Sequence, residues 1–491
     1  MKRNYLAFDL GASSGRAIVC SLENGKLTLN EVHRFVNGPI DKDGSLFWDF
    51  PALCGEIKEG LKKALAIEPA ISGIAIDTWG VDYVLYNRAT GQPVRLPYNY
   101  RDTRTADIPE KVFKTISQSD IYKRTGIQFM NLNTLYQLAA HKEQHPEDFE
   151  NSVLLFIPDA LTHYLNGEFT CEYTIASTSN LLNPNTRDWD FELLEKLGLP
   201  KSIFPAIVMP STLSAPLRSE LQNELGCGPI PLIRVGAHDT ASAVGAVPAV
   251  PDSNWAYISC GTWALLGAEI DQPLMTAESE AAPYTNEGGL EGKIRFLTNI
   301  MGTWLFQEAR RNWRDEGKEM SFPHMEKLAA GAQPLRFLVN PNDGLFLGPR
   351  DMPGRIRRYC VEHGQGEPAS DGEVLRCIYD SLALCFREKL EKLEKILNVK
   401  YQFLNIVGGG TQDHRLMQTS ADALGIPVIA GPIEATAIGN ALSQAIALGD
   451  AADLGEARKI VRNSFEVIEF KPNAAEKSNW DKAMVGFNKL V

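Results

Sequence analysis

The sequence predicts an α/β protein built as two related domains, and three observations carry that prediction. The 491 residues exceed what one hydrophobic core organises. A strand, a glycine turn and a second strand occupy residues 5–22 and recur at residues 255–268, an offset of roughly 250 residues. Apolar strands that end in Gly or Asp also alternate with helical periodicity in both halves. The Pro-rich stretch Val247-Pro248-Ala249-Val250-Pro251-Asp252-Ser253 reads as the linker, which divides the chain into 1–248 and 249–491.

Composition narrows the class. Apolar residues at 44% and charged residues at 22% are ordinary for a soluble globular protein. A net charge of −12 disfavours nucleic acid and anionic membranes as partners. Eight cysteines without a C-x-x-C pair point to reduced thiols rather than a disulfide framework or zinc site, hence to the cytoplasm. His141 and His145 form H-x-x-x-H, but Pro146 follows and no Glu completes a zinc-protease signature, so they read as a solvated helix end. Asp9 interrupts the first apolar run, which argues against a signal peptide, and no stretch approaches the ~20 apolar residues of a membrane span.

In chain order, residues 5–10 form a strand ending near Asp9, followed by Gly11-Ala12-Ser13-Ser14-Gly15-Arg16 and a strand at 17–22. Such a turn can cradle phosphates through N–H and hydroxyl groups, with Arg16 adding charge, or be an ordinary hairpin. Its spacing is not that of a Walker A loop, and residues 288–293 are a similar decoy. A third strand at 28–36, a helix at 51–66 and a strand at 71–77 follow. Asp77-Thr78-Trp79-Gly80-Val81-Asp82 then mixes carboxylates with an aromatic ring, which suits a sugar; a turn around a core Trp is slightly favoured if it stands alone. Residues 100–104 and 125–129 add polar loops that read equally as a solvated charge run and a plain turn.

Near the middle, a strand at 231–235 runs through Gly236 into a small-residue helix, with His238, Asp239 and Thr240 at the turn. A carboxylate there can take the proton of a substrate hydroxyl, or merely cap the helix. Strands at 255–259 and 263–268 flank the turn Cys260-Gly261-Thr262. Residues 371–397 form an amphipathic helix with Leu375, Ile378, Leu382, Cys385, Phe386 and Leu390 on its core side. A strand at 404–407 leads to Gly408-Gly409-Gly410, where a flat ligand can approach the backbone or helix and strand can pack closely. A strand at 427–430 and a small-residue helix at 434–448 complete the reading.

Each motif is weak alone, but their order is specific. The Asp-x-Gly hairpin, DTWGVD, RDTRT, GIQF, HDTASAV, a second Gly-Thr hairpin and the triple glycine together resemble the FGGY carbohydrate kinases over residues 3–450. The segments Asn133–Gln137, Thr285–Gly289, Asn299–Gly302 and Asn340–Asp343 extend the resemblance. It implies two actin-like (RNase H-like) ATPase domains, with ATP and a ketose bound in a cleft between them. The first domain would supply the sugar and phosphate side and the base, the second the nucleotide side. Ala12, Ser13, Ser14, Gly15, Arg16, Thr262, Gln307 and Gly409 would meet ATP, and Asp9 would hold Mg²⁺ through water. Gly80, His238, Asp239, Thr240 and Asn299 would meet the sugar, with Asp239 as catalytic base.

The implied reaction is phosphorylation of L-rhamnulose at its 1-hydroxyl, in L-rhamnose breakdown. Kinases of L-fuculose, D-xylulose or glycerol are the alternatives, and an actin- or chaperone-like ATPase is a more distant one. Trp79 and Phe129 are expected to pack the sugar methyl while Asp82 joins His238 and Asn299 on its hydroxyls. Two departures are visible. Cys260 stands where nearby family members often carry Ser, removing one expected phosphate-side hydroxyl, and Thr303 replaces an apolar residue. A monomer or homodimer is expected.

Overall fold

The computed structural model describes residues 2–251 and 253–491. Asp252, within the expected linker, lies outside the described residues. The chain forms two compact units, and each is discontinuous in sequence. The first takes the described residues up to Ala246 together with Glu269–Phe296 and Ala435–Phe465. The second takes the described residues of Val247–Ala268 together with Leu297–Glu434 and Glu466–Val491. The first crossing between units, Ala246/Val247, lies two residues before the expected division, but the chain crosses four more times.

The first unit is organised on a six-stranded sheet. Its order is Thr212–Pro216, Pro231–Arg234, Gly73–Thr78, Arg3–Leu10, Ser14–Glu23, Lys26–Val36. The last three strands form an antiparallel meander, while Gly73–Thr78 runs parallel to Arg3–Leu10 and sets Asp9 opposite Asp77. A parallel pair needs a crossover, and helix Phe50–Ile67 provides it. Asp49 accepts from the Ala52 N–H to start that helix, and Pro51 sits in its first turn.

Residues 4–10 are buried along their whole length because both sheet faces are covered. Ile74 and Ile76 join Phe50, Leu53 and Ile57 in the main core. Ala75 points the other way, into a small cluster that includes Ala447 of helix Ala435–Ala447. That late helix binds the sheet through Gln444 to the Leu6 carbonyl (3.1 Å) and Asn440 to Asp77 (2.7 Å). Its Gly439 lies so close to helix Asp239–Gly245 that a Cβ would stand 1.7 Å from the Ser242 oxygen. These contacts are why residues 435–465 fold into the first unit.

The second unit repeats the pattern. Its strands lie in the order Ala264–Ile270, Trp255–Cys260, Phe403–Val407, Val428–Ala430, Ile468–Phe470. Trp255–Cys260 pairs antiparallel with the strand after its turn and parallel with Phe403–Val407, as in the first sheet. Helix Asp371–Leu397 opens with a capping box between Ser370 and Glu373 and buries the six apolar residues that its periodicity singles out.

Three local expectations shift. The second strand begins at Ser14 rather than 17, because Leu10 and Asp9 continue the ladder to Gly15 and Arg16. Gly409–Gln412 forms a single 3₁₀ turn, and the helix starts only at His414. His141 is not a solvated helix end: it is 2% exposed, accepts from or donates to Tyr83 at 3.0 Å, and meets Asp148 at 2.9 Å. Burial pushes its pKa down to about 4.

Candidate active site

In the first unit, strand Pro231–Arg234 ends in a turn that delivers His238 and Asp239 to the start of helix Asp239–Gly245. Three neighbours hold the turn. The Thr78 N–H donates to the Ala237 carbonyl at 2.9 Å, the Ala237 N–H donates to Glu172 at 3.2 Å, and the His238 N–H donates to the Thr174 hydroxyl at 3.2 Å. Glu172 has no exposed surface, and burial raises its pKa to about 8. The N-cap position belongs to His238, so the reading of Asp239 as the cap is displaced.

Asp239 keeps about a third (32%) of its side chain exposed. Its Oδ1 accepts from the Thr240 N–H (2.6 Å) and hydroxyl (3.2 Å) and lies 3.4 Å from His238 Nε2. These contacts all fall on Oδ1, and none of them engages Oδ2. Gly80 belongs to the same place: a Cβ there would stand 3.3 Å from His238 Nε2 and 3.2 Å from the Thr178 hydroxyl. Val81 beside it holds φ +69°, a conformation costly for a β-branched residue. It is held there by Thr178, which accepts its N–H at 3.3 Å, and Thr134, which donates to its carbonyl at 2.7 Å.

The first hairpin of the first unit brings Asp9 against Arg16 at 2.5 Å. Gly11 closes its turn onto the Ser14 carbonyl (2.9 Å), while Ser13 is exposed and Ala12 and Ser14 are half-buried. Gly15 is required by packing, since a Cβ would collide with the Phe35 ring. Asp77, opposite Asp9, is fully buried; its Oδ2 accepts from Asn440 and its Oδ1 has no hydrogen-bond partner. Burial foremost, then the charges of Asp9 and Asp239, raises its pKa well above the carboxylate range.

Two sugar-side expectations are corrected. Asp82 is 1% exposed and takes Trp48 Nε1 (2.6 Å), Trp79 Nε1 (3.1 Å) and the Tyr100 N–H (3.2 Å) on one oxygen, with Gln137 (2.9 Å) on the other. Its acceptors are committed to the core, and burial raises its pKa to about 6 despite them. Trp79 is likewise buried against Trp48, with ring centroids 4.1 Å apart, so the core-Trp alternative holds. In RDTRT, Asp102 accepts from Leu46 and Arg104 N–H groups and Arg104 lies over the Tyr98 ring, while Arg101 and Thr103 are exposed. Phe129 lines a cavity of ≈ 220 Å³ with Ile121, Tyr122, Ile127 and Tyr136, which does not include His238 or Asp239.

In the second unit, Thr262 and Gln307 do come together. The Thr262 hydroxyl donates to Gln307 Oε1 at 3.4 Å, and Gln307 Nε2 donates to the Thr303 hydroxyl at 2.9 Å. Thr303 in turn donates to the Gly261 carbonyl at 2.7 Å and completes the network. In the triple glycine, Gly408 (φ +93°) and Gly410 press on Cys260, and only Gly409 faces open space. Cys260 therefore packs against Gly410, fully buried, with burial raising its thiol pKa to about 12, and it is no substitute for a phosphate-side hydroxyl. Asn299 is half-buried on strand Ile294–Ile300 and falls in the second unit.

Sequence reasoning missed Glu172, Glu287, Arg295 and Asn440 as supports of the site. Only Glu287 carried a signal, through the segment Thr285–Gly289. Among the described residues no group of three or more His, Cys, Asp or Glu forms a metal-binding cluster, and no helix is long and apolar enough to cross a membrane.

Residues 4–245 match the N-terminal domain model of the FGGY family of carbohydrate kinases, and residues 256–448 match its C-terminal domain model. A curated protein of Bacteroides thetaiotaomicron named rhamnulokinase is 44% identical over 100% of both chains. A second rhamnulokinase, of Halalkalibacterium halodurans, is 42% identical over 95% of this chain and 98% of its own. Among solved structures, a ligand-bound xylulose kinase from Lactobacillus acidophilus superposes with a TM-score of 0.83 at 18% identity, covering 99% of this chain and 97% of its own.

Proposed function

Because this chain belongs to the FGGY family of carbohydrate kinases, phosphotransferases with an alcohol acceptor, we propose that it phosphorylates L-rhamnulose at its 1-hydroxyl at the expense of ATP. The observation that carries the substrate is the 44% identity, over the full length of both chains, to a protein named rhamnulokinase. Relatives acting on other sugars, such as the xylulose kinase at 18% identity, support the fold alone.

The chemistry follows from the Asp239 turn. Phosphoryl transfer passes through a loose transition state, so alignment and charge neutralisation dominate over forced deprotonation. Asp239 Oδ2 accepts the hydrogen bond of the 1-hydroxyl and aims its lone pair at the γ-phosphorus. As the new O–P bond forms and the bond to ADP breaks, the hydroxyl proton passes to the Asp239 carboxylate. Thr240 holds Oδ1, so the carboxylate cannot rotate away. Ala12 to Arg16 are assigned to phosphate oxygens, and Thr262, Gln307 and Gly409 to the nucleotide.

Mg²⁺ is the cation proposed to accompany ATP, and it would neutralise phosphate charge. The residues suit an ion that keeps most of its water. Asp9 offers one carboxylate, Asp77 beside it has a buried oxygen without a partner, and the described residues build no cage of three protein ligands. Asp9 would hold it through water.

The test is ADP release coupled to a reporter reaction, measured on L-rhamnulose, L-fuculose, D-xylulose and glycerol. L-rhamnulose should show the highest kcat/KM. A higher value for any other of the four overturns the substrate and leaves the family.

A further inference from the structure

His238 sits between two carboxylates and beside a buried guanidinium. Its Nε2 lies 3.4 Å from Asp239 Oδ1, and its Nδ1 lies 3.3 Å from Glu287 Oε2 and 3.0 Å from Arg295 Nη2. Arg295 has no exposed surface; its Nε donates to the Gly288 carbonyl at 2.8 Å, and Nη2 pairs with Glu287 at 3.0 Å. Glu287 is itself 7% exposed. The charges of Arg295 and Glu287 cancel, so neither is left uncompensated in the interior.

This geometry decides where the imidazole carries its proton. A guanidinium has donors only, so at 3.0 Å it requires Nδ1 to present a lone pair. Glu287 Oε2 is ion-paired with Arg295 Nη2 and lies farther from Nδ1, at 3.3 Å, than the guanidinium does. The single proton of a neutral ring therefore resides on Nε2, on the side where Gly80 leaves room.

We propose that Arg295, held in place by Glu287, is a positioning residue that fixes His238 as a neutral imidazole with its Nε2–H turned toward Gly80 and Asp239. Two consequences follow for the transfer step, and they rest on the reading of the Asp239 turn as the sugar-phosphorylating site. The Nε2–H is a fixed donor available to a sugar oxygen. A neutral ring also forms no imidazolium–carboxylate pair with Asp239, so the carboxylate remains able to accept the hydroxyl proton. The other groups facing the ring and its turn are Glu172, which holds the Ala237 N–H, and the hydroxyls of Thr174 and Thr178.

The tautomer is measurable without substrate. Protein labelled with ¹⁵N-histidine carries eight imidazoles, and the His238→Gln variant identifies the one of interest. Long-range ¹H–¹⁵N correlation should show His238 neutral and protonated on Nε2 at neutral pH. Arg295→Lys retains a donor and should keep that signature. The double variant Arg295→Met with Glu287→Leu removes both charges together and should abolish the fixed tautomer, with kcat falling about 10- to 100-fold while KM for ATP holds, and Arg295→Lys recovering part of the loss.

A wild-type ring protonated on Nδ1, or on both nitrogens, would overturn the proposal, as would a folded double variant with unchanged ring signals and unchanged kcat. If the double variant does not fold, the wild-type and Arg295→Lys spectra still decide. Failure of the wild type to turn over L-rhamnulose would strike the substrate reading and leave the tautomer result standing.

Discussion

Replacing Gly439 with Ala tests how the late helix supports the Asp239 turn. Two effects oppose each other. Ala is the better helix former, by about 1 kcal/mol. Against that, the added Cβ would stand 1.7 Å from the Ser242 carbonyl oxygen and 2.5 Å from its carbon. Those are backbone atoms, so no side chain can swing aside. A tolerable contact of roughly 3.2 Å requires the two helices to separate by about 1.5 Å, and overpacking of this kind costs typically 1–3 kcal/mol or more. Overpacking wins, and the variant should unfold at lower urea concentration than wild type. The same displacement acts on the helix that begins at Asp239, and an ångström of misplacement at a reacting group can reduce turnover by about 10²-fold. Urea unfolding followed by circular dichroism, beside kcat with saturating ATP and sugar, checks both. A variant as stable as wild type with unaltered kcat would refute the argument that this crossing positions the turn.

Asp239→Asn retains shape but cannot take the proton, so kcat should fall by about 10²-fold or more while calorimetry still detects ATP binding. Thr303→Val breaks the bond to Gly261 and the support of Gln307, and should raise KM for ATP while leaving the sugar KM in place. Cys260→Ser places a hydroxyl against Gly410 in a buried site, which should cost about 1–3 kcal/mol in unfolding free energy without tightening ATP binding. His141 has its pKa pushed down to about 4 by burial, from an ordinary value of 6.5. The unfolded chain therefore binds that proton first, and stability present above pH 6.5 is lost as pH falls toward 4, by about 2–3 kcal/mol. His141→Gln should flatten the pH dependence of unfolding across that window, and an unchanged slope would refute the assignment.

The sequence by itself determined the class of fold, the two strand–turn–strand openings, the long helix at 371–397 and the turn into a helix at His238-Asp239-Thr240. Each of these is written in a local pattern: apolar runs, glycine at a turn, helical spacing, a carboxylate at a strand end. The order of the motifs then identified the family, because several weak local signals in a fixed order are collectively rare. Tertiary structure decided what each polar residue is for. Asp82 and Asp239 are both Asp residues near strand ends, yet one is surrounded by Trp48, Trp79, Tyr100 and Gln137 while the other keeps a third of its surface exposed. Cys260 and Thr303 both stand out in the sequence as departures from the expected pattern, yet one faces a glycine in the core and the other closes a hydrogen-bond network. Glu287 lies in a segment that extends the family resemblance, but neither it nor Arg295 gives a sign of reaching His238, 49 and 57 residues earlier. Burial and partner geometry arise only when distant segments pack, and it is these, rather than residue type or spacing, that leave one carboxylate exposed at a turn and commit another to the core.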